Sequence, residues 1–181
     1  MTPSSTSLSA TSSDDLIAHL SIQLGSELLS HNYFVTTAES CTGGGIAQAI
    51  TDSAGSSQWF SHGFVTYSNS AKQQLLDVSD ADIERYGAVS GEVVQAMAVG
   101  ALKAAQADVA IAVSGIAGPG GGTKEKPVGT VWIAWAVKNN TVVTRHYRFL
   151  GDRKSIRNQS VNEALVMAIS LLKKETKKNT V

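Results

Sequence analysis

Three side chains able to act as nucleophiles stand in a row at Ser40, Cys41 and Thr42, between Glu39 and the glycines Gly43, Gly44 and Gly45. A short strand-forming run, Tyr33 to Thr37, precedes them, and a helical pattern from Ile46 to about Thr51 follows. Backbone N–H groups at a helix start have no intrahelical partner and lie at the positive end of the helix dipole. Such a junction can hold an anion, or a developing oxyanion beside an attacking atom. Spacing leaves two readings open: a nucleophile site, or a capped turn whose hydroxyls serve the helix start.

A serine nucleophile needs a base. The four histidines, His19, His31, His62 and His146, are scattered, and neither a G-x-S-x-G elbow nor a local S-x-x-K is present. A lysine serves when burial or a neighbouring cation lowers its pKa. Lys72, in Tyr67-Ser68-Asn69-Ser70-Ala71-Lys72, follows a strand end and opens a helix, the same kind of position as Ser40. Tyr67 offers a phenol as proton carrier or donor. The plainer alternative for Lys72 is a solvated surface lysine. Cys41 is the rival nucleophile, and its plainer alternative is a small buried hydrophobe.

Two further segments could meet a ligand. Gly115-Ile116-Ala117-Gly118-Pro119-Gly120-Gly121-Gly122 follows an apolar strand and is too rich in glycine to be helix or strand. Ligands of open α/β sheets bind beyond the carboxyl ends of strands, where glycine lets the backbone come close to a phosphate or ribose. The pattern is neither a Walker A loop nor a dinucleotide fingerprint, so ATP and NAD are not indicated. In Gly151-Asp152-Arg153-Lys154, with Arg157 one turn on, three cations oppose the dipole of a helix start. A bound phosphate clamped by Arg153 would account for them, and solvated surface charge is the alternative.

These positions need elements to hold them. Leu16, Leu20, Leu24 and Leu28 recur every fourth residue and predict a helix over 14–30, capped by Ser13. Strands are predicted over 33–37, 63–67, 108–114, 129–137 and 141–149. The last two form a hairpin across Lys138-Asn139-Asn140. Helices are predicted over 71–76, 80–86, 91 to about 106 behind Ser90, and 152 to about 174. The strand at 108–114 is apolar on both faces, hence central. The alternation implies a single three-layer α/β/α domain over 14–175, with a mixed sheet that includes an antiparallel hairpin.

Composition narrows the function. With 15 Lys+Arg, 15 Asp+Glu and a formal net charge of zero, the 181-residue chain is no generic nucleic-acid or acidic-membrane binder. One cysteine excludes an internal disulfide and points to a reducing, cytoplasmic setting. No C-x-x-C or H-x-x-x-H spacing supports a metal site, and no cofactor is indicated. Residues 1–13 read as a Ser/Thr-rich tail without the features of a secretory signal, and residues 176–181 as a polar tail. No run of about 18 apolar residues is present to span a membrane.

In order along the chain, TTAESCTGG, GFVTYSNSAKQ, GAVS, VSGIAGPGGG, KPVGTVW and GDR closely resemble the C-terminal domain of the competence/damage-inducible protein CinA. The likeness runs from about Thr36 to Ala164. Stand-alone members of that family are nicotinamide mononucleotide (NMN) amidohydrolases. The resemblance implies hydrolysis of the NMN carboxamide to nicotinic acid mononucleotide and ammonia, through a serine–lysine site without metal. It implies Ser40 as nucleophile, Lys72 as base and Tyr67 as assistant. Backbone N–H groups near Thr42 and Gly43 would receive the oxyanion. Glu39, Thr42, Gly43, Gly44, Ser114, Gly115 and Gly118 would line the substrate site, and Arg153 would hold the phosphate. It also suggests a homodimer, with the apolar helix from Gly91 as a plausible face. Activities tied to the N-terminal domain of full-length CinA are not implied. Two other readings stay open: a non-catalytic nucleotide-binding module of the same fold, and an amidase for a related nucleotide.

Overall fold

Residues 109–113 alternate Val-Ala-Ile-Ala-Val, and that alternation sorts the molecule into two faces. The computed structural model describes residues 13–138 and 142–178. Helix α1 (Ser13–His31) leads to strand β1 (Val35–Glu39) and helix α2 (Gly45–Thr51). A 3-10 turn (Ser56–Gln58) then precedes β2 (Phe60–Val65). Three helices follow, α3 (Asn69–Leu76), α4 (Asp80–Tyr86) and α5 (Gly91–Ala104). The chain closes with β3 (Val109–Gly115), β4 (Thr130–Val137), β5 (Val143–Arg148) and α6 (Arg153–Lys178).

The sheet order is β2-β1-β3-β4-β5. β1 runs parallel to both β2 and β3, while β4 is antiparallel to β3 and to β5. The expected mixed sheet with its hairpin is therefore present and β3 is central, buried on both faces. Val109, Ile111, Val113, Ile133 and Trp135 pack beneath α1, α2 and α6. Ala38, Ala110, Ala112, Ala134 and Ala136 floor the other face, beneath α3, α4 and α5. Alanine on that side lets α5 lie close to the sheet. At Gly100 the helix also passes so near α3 that an added Cβ would stand 2.0 Å from the Leu76 carbonyl oxygen.

This topology gathers one end of the molecule. β1, β2 and β3 point the same way, so the loops leaving Glu39, Val65 and Gly115 emerge together. β5 is antiparallel to β4, and Arg148 pairs with Thr130 at that same end, so α6 begins there too.

Several boundaries differ from expectation. β1 starts two residues late because Asn32 turns the chain (φ 55°) after α1, and it runs on through Glu39. β2 occupies 60–65 instead of 63–67; Thr66 has left the strand, although its N–H still donates to the Glu39 carbonyl at 2.8 Å. Leu16 is exposed, and Ile17 packs toward the core in its place. Ser13 is the first residue of α1 and not its cap. α6 runs to Lys178, into the expected C-terminal tail. The rest of the N-terminal tail and the turn residues Asn139 and Asn140 lie outside the described residues. The apolar stripe of α5 packs inward: Val93, Val94, Met97, Ala98 and Ala101 are fully buried in the chain's own core. Among the described residues no helix is long and apolar enough to cross a membrane.

Candidate active site

Ser40 is the first residue beyond β1. Its N–H donates to the Val113 carbonyl at 3.0 Å, which ties the start of the turn to the central strand. The chain then passes through Cys41, Thr42 and two left-handed residues, Gly43 (φ 58°) and Gly44 (φ 94°), before α2 begins. Two successive positive φ angles are cheap only for glycine, so the Gly-Gly pair is what makes so tight a turn affordable. The Gly43 N–H donates to the Ser40 carbonyl at 3.1 Å and is thereby used. Among the described residues, the N–H groups of Cys41, Thr42 and Gly44 donate to no carbonyl or side-chain oxygen. The N–H groups of Cys41 and Thr42 lie against the Cys41 thiol, and of the donors expected near Thr42 and Gly43 that of Gly43 is engaged by the Ser40 carbonyl.

Glu39 is fully buried, and its carboxylate faces inward. It accepts the Thr42 hydroxyl at 2.6 Å and the N–H groups of Ile46 and Ala47 at 3.0 and 2.8 Å. Burying a carboxylate costs several kcal/mol. Three hydrogen bonds to a charged group, at about 1.5–3 kcal/mol each, together with the α2 dipole, offset that cost. Glu39, expected as a substrate contact, is here an internal cap for the turn.

Lys72 sits in the first turn of α3, whose cap is Ser68: the Ser68 hydroxyl accepts from the Ala71 N–H at 3.1 Å. The side chain turns inward and is 1% exposed, so the solvated-lysine alternative is excluded. Its Nζ lies 3.3 Å from Ser40 Oγ, 2.9 Å from the Thr66 carbonyl and 3.5 Å from the Ser68 carbonyl. Burial lowers the Lys72 pKa from the ordinary lysine range by disfavouring the ammonium. A neutral amine has two N–H donors and one lone pair; two carbonyls and one hydroxyl around Nζ match that set.

Cys41 packs into the core beneath α2, and burial pushes its thiol up to about 12. It is a thiol at neutral pH, which removes the rival nucleophile.

Tyr67 is 60% exposed, and its hydroxyl accepts from Arg153 Nη2 at 2.9 Å. It makes no hydrogen bond to Ser40 or Lys72. Arg153 Nη1 donates to the Gly118 carbonyl at 2.9 Å, so one guanidinium spans the β2–α3 loop and the glycine loop. Ser114 is buried and spends its hydroxyl on the Ala88 carbonyl at 2.6 Å, which fastens β3 to the loop before α5. Gly115 ends β3 in register with Val131. The glycine loop is no loose crossing: Ile116 and Gly129 N–H groups close its base, and Lys126 Nζ donates to the Tyr86 carbonyl at 2.7 Å. Asp152 caps α6, its Oδ1 accepting from the Ser155 N–H at 2.8 Å.

A cavity of about 740 Å³ opens beside this mouth, between α1, α2 and α6. Arg153, Lys154, Arg157 and Thr42 line the side nearest Ser40, while Ser40 and Lys72 themselves lie outside it. None of the ion pairs among the described residues involves these three cations. In the sequence Arg157 is one of three cations read as a phosphate cluster or as solvated surface charge. In the structure its Nε donates to the Thr42 carbonyl at 3.2 Å, and its Nη2 donates to the same oxygen.

The model of the CinA C-terminal domain family matches residues 17–172. The chain belongs to this family. A protein named nicotinamide-nucleotide amidohydrolase PncC from Enterobacter agglomerans is 55% identical over 157 residues, covering 87% of this chain and 96% of that protein. Another of that name, from Escherichia coli strain K12, is 54% identical over 152 residues, 84% and 92% of the two chains. Among solved structures, the competence/damage inducible protein CihA from Agrobacterium tumefaciens superposes with a TM-score of 0.85 at 43% identity, covering 91% and 99%. In this CinA-family chain the two residues named as nucleophile and base are brought together. Glu39 and Ser114 are turned to structural work, and Tyr67 joins Arg153 at the mouth.

Proposed function

We propose that the chain is an amidohydrolase that converts the carboxamide of nicotinamide mononucleotide to the carboxylate, releasing ammonia, through a covalent Ser40–Lys72 mechanism. One observation carries the reading: a buried amine, its charge disfavoured by burial, stands 3.3 Å from a serine hydroxyl at a helix start. The relatives named for this activity, matched over nearly their whole length, support the choice of substrate.

The lone pair of Lys72 takes the Ser40 proton while Oγ attacks the carboxamide carbon. The N–H groups of the turn stabilise the resulting oxyanion. The C–N bond breaks, the Lys72 ammonium protonates the departing nitrogen, and ammonia leaves a nicotinoyl ester on Ser40. Water then attacks that ester, its proton returning through Lys72, and nicotinic acid mononucleotide is released. The positive charge on the substrate's pyridinium ring makes the carbonyl more electrophilic and eases both attacks. The ribose and phosphate extend toward the cavity, where Arg153 meets the phosphate. Such a reaction returns an amide nucleotide to the acid form and fits pyridine nucleotide recycling.

The test is a substrate panel on the purified chain: NMN, its unphosphorylated riboside and a purine nucleotide amide, with ammonia and the acid product both measured. Stoichiometric ammonia and nicotinic acid mononucleotide from NMN support the reading. Tight binding of NMN without ammonia release would make the chain a binding module instead.

A further inference from the structure

Thr42 is held from two sides by opposite charges. The buried Glu39 carboxylate accepts its hydroxyl at 2.6 Å. From the other side, Arg157 reaches across 115 residues of sequence to its carbonyl, donating from both Nε and Nη2. The same oxygen also accepts the Gly45 N–H at 3.2 Å. The Thr42 C=O and the Gly43 N–H belong to one planar peptide unit. Its N–H end is bonded to the Ser40 carbonyl, so Arg157 holds the other end of the unit that arches over the nucleophile.

The turn needs such a hold. Gly43 and Gly44 both have positive φ, and glycine populates other backbone regions as readily. Left to itself, a Gly-Gly arch would sample orientations in which the N–H groups of the turn point away from the reacting carbonyl. Arg157 makes no carboxylate pair among the described residues, and two of its donors, on Nε and Nη2, go to this peptide while the residue also lines the cavity. A phosphate-binding arginine would present its donors to the cavity; this one spends two of them on the turn.

We propose that Arg157 is a positioning residue for the nucleophile turn: by binding the Thr42 carbonyl it keeps the 42–43 peptide, and with it the oxyanion donors, aligned with Ser40. The proposal rests on the amidohydrolase reading. It predicts a loss in kcat, not in KM, because the alignment matters only when charge develops on the substrate oxygen. Misalignment of a catalytic group by about 1 Å costs roughly a hundredfold.

Arg157→Ala is therefore expected to lower kcat by about 100-fold, with KM for NMN and for the unphosphorylated riboside each changed by less than about threefold. Arg157→Lys, which keeps the charge and one donor, is expected to recover to within about tenfold of the native chain. The rate at which phenylmethylsulfonyl fluoride labels Ser40 reads the same turn without any nucleotide, and it is expected to fall in the same order. A rise in KM for NMN alone, with kcat and labelling kept, would overturn the proposal and make Arg157 a phosphate ligand. Native kcat and native labelling in both variants would overturn it as well. Should the native chain release no ammonia while labelling still slows in the variants, the substrate reading has failed and the positioning role stands. If the alanine variant does not fold, as judged by its melting curve, Arg157→Lys decides between the same outcomes.

Discussion

The Nζ of Lys72 and the Oγ of Ser40 meet at 3.3 Å across 32 residues of sequence. Both lie beyond the carboxyl ends of parallel strands, Ser40 as the first residue of the turn that leads to α2 and Lys72 in the first turn of α3. β1 delivers Ser40 and neighbouring β2 delivers Lys72. The pairing is therefore a consequence of strand order, and it fixes what the pair does with pH.

Burial lowers the Lys72 pKa, so the basic form gains ground below the ordinary lysine range. The log of kcat/KM is expected to rise with unit slope through that lowered ionisation and to level off above it. The stability consequence has the same sign. Between the folded pKa and the unfolded value near 10.5, the unfolded chain binds more protons, so stability rises with pH in that window. Below it the burial penalty is fully present. Melting the native chain beside Lys72→Met from pH 7 to 10.5 checks this: the native chain should gain relative to the variant as pH rises.

Glu39→Gln is expected to destabilise the chain by about 2–3 kcal/mol, since one of the two accepting oxygens becomes an NH2 facing the Ala47 N–H or the Ile46 N–H and Thr42 hydroxyl. Urea denaturation measures that loss. Because the turn carries Ser40, kcat should fall as well, with KM largely kept; a change confined to KM would return Glu39 to the substrate-contact role.

Arg153→Ala is expected to raise KM for NMN far more than KM for the riboside, which has no phosphate. Its guanidinium rests on two neutral oxygens, those of Gly118 and Tyr67, and among the described residues no carboxylate pairs with its charge at the cavity edge. An equal loss for both substrates would mean that the bridge between the two loops is its whole contribution.

Much of this site was legible before any coordinates. A hydroxyl at one strand-to-helix junction and a lysine at another carry the same local signature, and a mixed sheet brings such junctions to one end. The signature does not say which atoms face inward. Glu39 belongs to the motif as surely as Ser40, yet its carboxylate is fully buried because the start of α2 and Thr42 need an acceptor. Ser114, read as a wall of the site, gives its hydroxyl to the Ala88 carbonyl. Arg157 read as part of a phosphate cluster or as surface charge, because its partner lies 115 residues away and the packing of α6 against α2 creates that contact. β2 was placed late because it is an edge strand, largely exposed, and lacks a clean alternation.

The central claim is that Ser40 and Lys72 act as one unit, and a four-protein kinetic cycle tests it most directly. Ammonia release from NMN, in the presence of chelator, is measured for the native chain, Ser40→Ala, Lys72→Met and the double variant. Groups that work as a unit are strongly non-additive, so each single variant should lose roughly a thousandfold or more in kcat and the double variant no more than either. A near-native rate in Ser40→Ala, or losses that multiply in the double variant, would contradict the account.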